Sequence, residues 1–189
     1  MGEKQYIKIV LLGDAAVGKT SIINLYTGTG GLSKEATVGG CSKVKSMKFD
    51  GIEYDINIWD TAGSESYREI VPMYIHGAAA AIIVSDLTSK SSIDNIKYWV
   101  NFVRDNAEDA IQIVLCFNKS DLVEERVCST SDIQEIADSY NLRFSEVSAL
   151  SGEGINGLFE SIISELLYSK ENFIHKKVAL EDTKKGCSC

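Results

Sequence analysis

A phosphate-binding loop near the N-terminus constrains the fold of this chain more than any other feature. The loop has the pattern G-x-x-x-x-G-K-T and runs from Gly13 to Thr20. An apolar run, Tyr6 to Leu12, precedes it, and a segment of helical period, Lys19 to Tyr26, overlaps its end. The pattern predicts a buried parallel strand, a glycine turn and a helix N-terminus. Backbone N–H groups in such a turn point at phosphate oxygens, and the helix dipole favours the same anions. We therefore expect the chain to bind the phosphates of a nucleotide.

Length, composition and charge limit the class of protein. A chain of 189 residues with 44% hydrophobic residues is long enough for one well-packed domain and short for two. It has no apolar stretch that could span a bilayer and no secretory signal at its start, so we expect it to stay in the cytosol. The net charge of −8 argues against nucleic acid as a partner. Lysines outnumber acidic residues from residue 170 onward, which predicts a domain over residues 1–169 and a flexible tail over residues 170–189.

Short apolar runs alternate with longer segments of helical period, which is typical of an α/β fold with helices on both faces of a mostly parallel sheet. The six predicted strands are Tyr6 to Leu12, Lys43 to Phe49, Ile52 to Trp59, Ala78 to Asp86, Ile111 to Asn118 and Arg143 to Val147. The predicted helices are Lys19 to Tyr26, Ser91 to Asn106, Asp132 to Tyr140 and Asn156 to Ser169. Asp50-Gly51 predicts a tight hairpin and hence one antiparallel edge strand. Ser91 or Ser92 can cap the second helix.

A second motif favours guanine as the base. Asn118-Lys119-Ser120-Asp121 closes the fifth predicted strand, at the sheet edge where an open α/β sheet places its ligand. The Asp121 carboxylate can accept hydrogen bonds from N1–H and the 2-amino group of guanine, whereas adenine has an acceptor at N1 and no 2-amino group. Sites built on such polar matches can discriminate by about ten-thousand-fold. The stem of Lys119 can pack along the base, and Asn118 can tie this loop to the phosphate loop.

A third motif, Trp59-Asp60-Thr61-Ala62-Gly63, ends the third predicted strand. Asp60 can hold Mg²⁺ through a water molecule, and the Gly63 N–H can reach the γ-phosphate. Only a glycine lets the backbone approach a phosphate so closely. The motif therefore predicts a contact that senses the terminal phosphate.

The ordered set of these motifs, together with Ser148-Ala149-Leu150, resembles the Ras superfamily of small GTPases. The W-D-T-A-G form, the stretch Val71 to Ala78 and the ending Cys187-Ser188-Cys189 are similar to the Rab family, nearest to its early-endosomal branch. The resemblance covers nearly the whole chain. It implies the three-layer small-GTPase fold, GTP or GDP as the ligand with Mg²⁺, and a switch that regulates vesicle trafficking by recruiting effectors in its GTP state.

The resemblance also implies a role for individual residues. Lys19 would hold the β- and γ-phosphates, Thr20 would ligate Mg²⁺, and Thr37 would bind Mg²⁺ and the γ-phosphate only in the GTP state. The expected nucleotide-binding set is Asp14, Ala15, Ala16, Val17, Gly18, Lys19, Thr20, Ser21, Thr37, Gly63, Asn118, Lys119, Asp121, Leu122, Ser148, Ala149 and Leu150. The expected metal site is Thr20, Thr37 and Asp60, and the residues expected to act in hydrolysis are Lys19, Thr37, Gly63 and Ser64. Losing the γ-phosphate would release Thr37 and Gly63, and their loops would relax.

Two substitutions in the motifs predict slow intrinsic hydrolysis. Ser64 stands where relatives carry the glutamine that positions the attacking water, and a serine hydroxyl is too short to span the same gap. Ala15, where relatives often have glycine or serine, adds a methyl group close to the γ-phosphate. An alternative function is a largely GTP-bound interaction module that does not cycle. A third, an ATP-dependent phosphotransferase, is disfavoured by Asp121.

Two further departures concern release of the nucleotide and choice of partner. No aromatic residue lies between Tyr26 and Phe49, where relatives place one against the guanine, so we expect faster GDP release than is usual for the family. Ser42 stands where Rab relatives carry a phenylalanine that would join Trp59 and Tyr74 in an aromatic patch. Membership of the family therefore does not predict which effectors this chain binds.

The end of the chain predicts a lipid anchor. Cys187-Ser188-Cys189 resembles a Rab terminus and implies geranylgeranyl groups on Cys187 and Cys189, with nearby lysines favouring an anionic leaflet. The expected partners are a guanine nucleotide exchange factor, a GTPase-activating protein, a prenyl-dependent carrier protein and effector proteins. We expect a monomer on the cytoplasmic face of an endosomal or other vesicular membrane, with a carrier-bound pool in the cytosol.

Overall fold

The computed structural model describes residues 5–33, 37, 40–61, 71–107 and 111–169. Its strands are β1 (Gln5–Leu12), β2 (Gly40–Phe49), β3 (Ile52–Thr61), β4 (Ala80–Asp86), β5 (Gln112–Asn118) and β6 (Arg143–Glu146). Its helices are α1 (Lys19–Thr27), α2 (Val71–Ile75), α3 (Lys90–Asp94), α4 (Ile96–Asn106), α5 (Thr130–Tyr140) and α6 (155–169), with a short 3-10 helix at Val123–Glu125. None of the described helices is long and apolar enough to cross a membrane.

The six strands form one sheet in the order β2-β3-β1-β4-β5-β6. The edge strand β2 runs antiparallel to β3, and the other neighbouring pairs are parallel. Asp50 and Gly51 both have positive φ, 45° and 82°, which is the hairpin geometry that matches strand twist. The predicted fold class is therefore confirmed. Because the parallel strands share a direction, the loops that follow Leu12, Asp86 and Asn118 all lie at the carboxyl end of the sheet.

Alternating side chains of the central strand divide the core between the two faces of the sheet. In β1, Ile7, Ile9 and Leu11 face the side that α1 and α6 cover, whereas Val10 and Leu12 face the side that α4 and α5 cover. On the first side the rings of Tyr26 and Phe159 stack with their centroids 3.8 Å apart. Burying one large aliphatic side chain contributes about 1.5–3 kcal/mol. Packing on both faces thus holds in place the carboxyl ends of the strands, where the predicted site lies.

The strand predictions agree with the structure to within two residues at each end, except at the start of β2. That strand begins at Gly40 instead of Lys43, because β3 continues to Thr61 and pairs with Gly40. The helix α2 was not predicted. It is a single turn with a proline at its second position, where the missing N–H costs no intrahelical hydrogen bond.

The predicted helix from Ser91 to Asn106 is two helices, α3 and α4, which meet at Asn95. The predicted cap was also wrong: the side chain of Ser89 accepts a hydrogen bond from the Ser92 N–H. Ser92 itself is buried, and its hydroxyl accepts from the Asp86 N–H at 2.9 Å, which holds α3 against the end of β4. The predicted start of α5 was late, because Ser129 and Asp132 form a capping box that begins the helix at Thr130.

Candidate nucleotide-binding site

The phosphate loop joins β1 to α1, and two of its glycines leave no room for a side chain. Gly13 has φ 138°, and a Cβ there would lie 2.1 Å from the carbonyl oxygen of Val84 in β4. Gly18 has φ 101°, and its Cβ would lie 2.2 Å from Nδ2 of Asn118. Both conformations are ones that side chains rarely adopt. The loop therefore needs glycine at both ends in order to sit against β4 and the loop after β5.

The loop ends at a helix N-terminus that is suited to an anion. Gly18 caps α1 and has no side chain that could bond to the N–H groups of the first turn. Lys19 is 5% exposed, and its Nζ donates to the carbonyl oxygens of Gly13 and Asp14 at 2.8 and 2.7 Å. Burial lowers the pKa of Lys19 to about 8, against the opposing effect of Asp60 and Asp14. A phosphate beside this amine would favour its charged form.

Three oxygen-bearing side chains meet beside Lys19. The Thr20 hydroxyl donates to Oδ2 of Asp60 at 2.6 Å, and the Thr20 and Thr37 hydroxyl oxygens are 2.8 Å apart. Thr37 also donates to the same carboxylate oxygen at 3.4 Å. Burial raises the pKa of Asp60, although Thr20 and Lys19 act in the opposite direction.

The second oxygen of Asp60 tests whether these residues fit a metal ion. Within the described part of the chain, Oδ1 of Asp60 is buried and has no hydrogen-bond partner. Such an atom costs about 1–3 kcal/mol unless something satisfies it. A hard cation prefers oxygen ligands, and Mg²⁺ usually takes only one or two carboxylates and keeps several waters. Thr20, Thr37 and Asp60 therefore fit Mg²⁺.

Asn118 connects three loops at the end of β5. Its side chain is 1% exposed, Nδ2 donates to the Val17 carbonyl oxygen at 2.8 Å, and Oδ1 accepts from the Ala149 N–H at 2.9 Å. The first contact is the tie to the phosphate loop that the sequence led us to expect. The second joins the loop after β6, so a single buried amide sets the spacing between the phosphate side and the base side of the site.

The carboxylate of Asp121 is held in place by Ser148. The buried Ser148 hydroxyl donates to Oδ1 of Asp121 at 2.5 Å and accepts from the N–H groups of Leu150 and Ser151 at 3.1 and 3.0 Å. Leu150 is 62% exposed at this rim. Ser148 therefore fixes the orientation of the Asp121 carboxylate through a hydrogen bond that the sequence did not reveal.

Lys119 is held by a residue that the sequence analysis missed. Lys119 has φ 67°, and its Nζ lies 2.5 Å from Oδ2 of Asp86, which is 6% exposed. The other oxygen of Asp86 accepts from the N–H and hydroxyl of Thr88, both at 2.8 Å. The available signal was position, because Asp86 ends β4 directly opposite Asn118 in the sheet register.

The remaining predicted residues are distributed as follows. Val17 and Ser21 are buried, Ala15 and Ala16 are exposed in the loop, and the Leu122 N–H donates to the Lys119 carbonyl oxygen. Gly63, Ser64, Cys187 and Cys189 lie outside the described residues, as does the tail over residues 170–189. Their roles and the domain division stay predictions.

The aromatic pair expected on the partner-facing surface is in contact. The rings of Trp59 and Tyr74 have centroids 5.3 Å apart, and Ser42 lies directly opposite Trp59 in the β2–β3 register. A Cβ at Gly40 would lie 2.6 Å from Cζ of Tyr74, so the tyrosine ring lies against the backbone at the start of β2.

Comparison with known proteins agrees with this geometry. The family model described as the Ras family matches residues 8–168. Ras-related protein Rab-11C of Dictyostelium discoideum is 37% identical over 183 residues, which cover 96% of this chain and 81% of that protein. Ras-related protein RABA4a of Arabidopsis thaliana is 36% identical over 182 residues, covering 95% and 79%. Ras-related protein Rab11A of Lotus japonicus is 34% identical over 180 residues, covering 95% and 78%.

These relatives confirm the predicted family and indicate the Rab11 branch, where the sequence led us to expect the early-endosomal one. Ras-family GTPases bind GTP or GDP, generally with Mg²⁺, and hydrolyse GTP. The chain therefore belongs to the Rab family of Ras-like small GTPases.

Proposed function

We propose that this protein is a slowly hydrolysing GTPase switch that is anchored to vesicle membranes through its C-terminal cysteines. The observation that carries the nucleotide-binding part is the cluster of Thr20, Thr37 and Asp60 around a buried carboxylate oxygen without a partner, next to the buried amine of Lys19. This arrangement supports a bound divalent cation and phosphate together, since a cation would satisfy the buried oxygen of Asp60 and a phosphate would balance the buried charge of Lys19.

The site residues divide the work of binding. Lys19 places a positive charge at the phosphates, and the first-turn N–H groups of α1 donate to the same oxygens. Asp121, oriented by Ser148, accepts from the guanine edge, while Lys119, oriented by Asp86, covers one face of the base. Bound Mg²⁺ supplies positive charge that stabilises the phosphate oxygens. Asn118 keeps the phosphate side and the base side of the site at a fixed separation.

Thr37 is the switch residue in this proposal. It lies within hydrogen-bond distance of Thr20 and Asp60, which are fixed on α1 and β3. A terminal phosphate would add one more partner for Thr37, and loss of that phosphate would leave the threonine bound by fewer contacts. The segment that carries Thr37 would then relax, and effectors would lose their binding surface.

Slow hydrolysis follows from Ser64 in this proposal. The test is a single-turnover measurement of GTP hydrolysis by wild type and by Ser64→Gln, which restores an amide able to orient water. We expect the variant to be roughly ten- to a hundred-fold faster. Ser64→Ala is the matched control, and it should match wild type. A wild-type rate equal to that of ordinary Rab proteins would refute the proposal, as would no gain in Ser64→Gln.

Release of GDP should be faster than is usual for Rab proteins. The described residues between α1 and β2 include Leu32, which is 55% exposed, and no aromatic residue. Losing one ring contact with the base removes on the order of 1 kcal/mol, which is a several-fold change in rate. Stopped-flow release of a fluorescent GDP analogue checks this, and a half-life of many hours would contradict it.

Membrane attachment depends on Cys187 and Cys189. We expect two geranylgeranyl groups, because two lipid groups anchor a protein stably to a membrane, whereas one binds only marginally. Mass spectrometry of protein from a eukaryotic host should show both modifications, and Cys187→Ser with Cys189→Ser should abolish flotation with vesicles. The proposed partners are an exchange factor, a GTPase-activating protein, a prenyl-dependent carrier and effectors, and the protein acts as a monomer.

One experiment separates the cycling switch from a GTP-bound module that does not cycle. The nucleotide that co-purifies with the protein is identified, and hydrolysis is then followed with and without a broad-range activating protein. Bound GTP that persists even with the activating protein would favour the module. Ser64 and Ala15 suggest this alternative because both predict slow hydrolysis. Bound GDP, or GTP that the activating protein converts to GDP, supports the switch.

A further inference from the structure

The side chain of Asp14 belongs to the phosphate loop but forms its hydrogen bonds outside that loop. Its Oδ2 accepts from Nδ2 of Asn95 at 2.7 Å, and its Oδ1 accepts from Nε1 of Trp99 at 2.9 Å. These donors lie 81 and 85 residues further along the chain. The main-chain carbonyl of the same residue accepts from Nζ of Lys19. Asp14 therefore connects the phosphate-binding lysine to two helices on the far side of the loop.

Both donors are held rigidly. Trp99 is 2% exposed and packs in the same core cluster as Val10 and Leu12 of β1. Asn95 occupies the junction of α3 and α4, where its N–H donates to the Ser91 carbonyl oxygen at 3.0 Å. Hydrogen bonds to a charged acceptor are roughly twice as strong as neutral ones. The two bonds therefore fix the carboxylate to α4.

The geometry distinguishes two possible effects of Asp14 on a bound nucleotide. A carboxylate near phosphates repels them, so an effect through charge alone would make nucleotide binding tighter when Asp14 is neutralised. Both carboxylate oxygens, however, accept hydrogen bonds from Asn95 and Trp99. An effect through position would make nucleotide binding weaker when either bond is lost, whatever happens to the charge. The two effects have opposite signs.

We propose that Asp14 is a positioning residue that couples the phosphate loop to α4 through Asn95 and Trp99 and so slows release of the nucleotide. The inference rests on the proposed binding of guanine nucleotide. Asn118 holds the second half of the loop through the Val17 carbonyl oxygen, and the Asp14 carboxylate ties the first half to Trp99 of α4. A displacement of α4 would then move the loop and the amides that bind phosphate.

The first test is the rate of GDP release from Trp99→Phe, which removes the indole donor and keeps both the Asp14 charge and an aromatic ring. We expect release about tenfold faster, the change that fits loss of one hydrogen bond to a charged group. Val100→Ala is the matched control, because Val100 is a fully buried residue of the same helix and core cluster. It should lower the stability to urea and leave the release rate unchanged. Asn95→Ala is measured in parallel and should also speed release.

The second test uses Asp14→Asn and the emission of Trp99. The chain has two tryptophans, so Trp59→Phe leaves Trp99 as the sole reporter. In that background Asp14→Asn should shift Trp99 emission and speed GDP release. Tighter binding in Asp14→Asn, or equal release in wild type, Trp99→Phe and Asn95→Ala, overturns the coupling. Failure of the wild-type protein to bind GDP overturns the proposed function as well, so the two failures are distinguishable.

Discussion

Replacing Asn118 by alanine should loosen the fold and the nucleotide site together. The asparagine side chain is almost completely buried and bridges the Val17 carbonyl oxygen to the Ala149 N–H. Alanine removes both bonds and leaves one acceptor and one donor without these partners. The phosphate loop and the loop after β6 would then no longer be held at a fixed separation.

The structure sets the size of the effect. Each buried polar group left unsatisfied costs about 1–3 kcal/mol, so the two groups together predict a loss of roughly 2–6 kcal/mol in the free energy of unfolding. The total for a domain of this kind is about 5–15 kcal/mol. The variant should therefore fold in the cold but have a much smaller free energy of unfolding than wild type at physiological temperature. Because the same contact holds the loop that binds phosphate, GDP release should also speed up.

Urea unfolding with saturating GDP and Mg²⁺ measures the first effect, and release of a fluorescent GDP analogue measures the second. Asn101→Ala on the exposed side of α4 is the control and should change neither. Asn118→Asp keeps an acceptor for the Ala149 N–H but turns an oxygen toward the Val17 carbonyl, so it should also be destabilised. A loss below about 1 kcal/mol in Asn118→Ala would refute the reasoning.

Three further predictions concern neighbouring parts of the site. The pKa of Lys19 is near 10.5 in the unfolded chain and about 8 in the folded protein. GDP affinity measured in excess EDTA should therefore fall above about pH 8, while the unfolding free energy of the nucleotide-free protein rises. Lys19→Arg, which stays charged, should show neither change. Asp86→Asn should speed GDP release several-fold by freeing Lys119, whereas Asp94→Asn in the exposed Lys90–Asp94 pair should not. Gly40→Ala should displace the Tyr74 ring and change the near-UV circular dichroism, whereas Gly31→Ala, with no atom within 4 Å of its Cβ, should leave it unchanged.

The parts of the site that depend on local pattern could be predicted from the sequence. The glycine positions of the phosphate loop, the strand before it and the helix after it lie within a few residues of one another. The tie from Asn118 to the phosphate loop could also be expected, since both loops leave the same edge of a parallel sheet. The antiparallel edge strand followed from Asp50-Gly51, whose two positive φ values suit a tight hairpin.

The supporting contacts could not be predicted, because they join residues that no local pattern relates. The break between α3 and α4 was missed because the apolar stripe Ile93, Ile96, Val100 and Val103 continues through it. Contacts elsewhere in the fold hold the break: Ser92 bonds to the end of β4, and Asn95 bonds to Asp14. Asp86 was missed because an acidic residue at the end of a buried strand has several possible partners.

The same contacts would let an element outside the nucleotide site affect nucleotide release. Gly13 abuts Val84 of β4, Gly18 abuts Asn118 of β5, and Asp14 bonds to Trp99 of α4. The loop is thus positioned from three elements whose mutual packing is fixed by the core. A packed interior transmits a small displacement instead of absorbing it. A partner that shifts α4 would therefore displace the phosphate loop while leaving the Ser148–Asp121 hydrogen bond intact, and one that shifts the loop after β6 would act on both through Asn118 and Ser148.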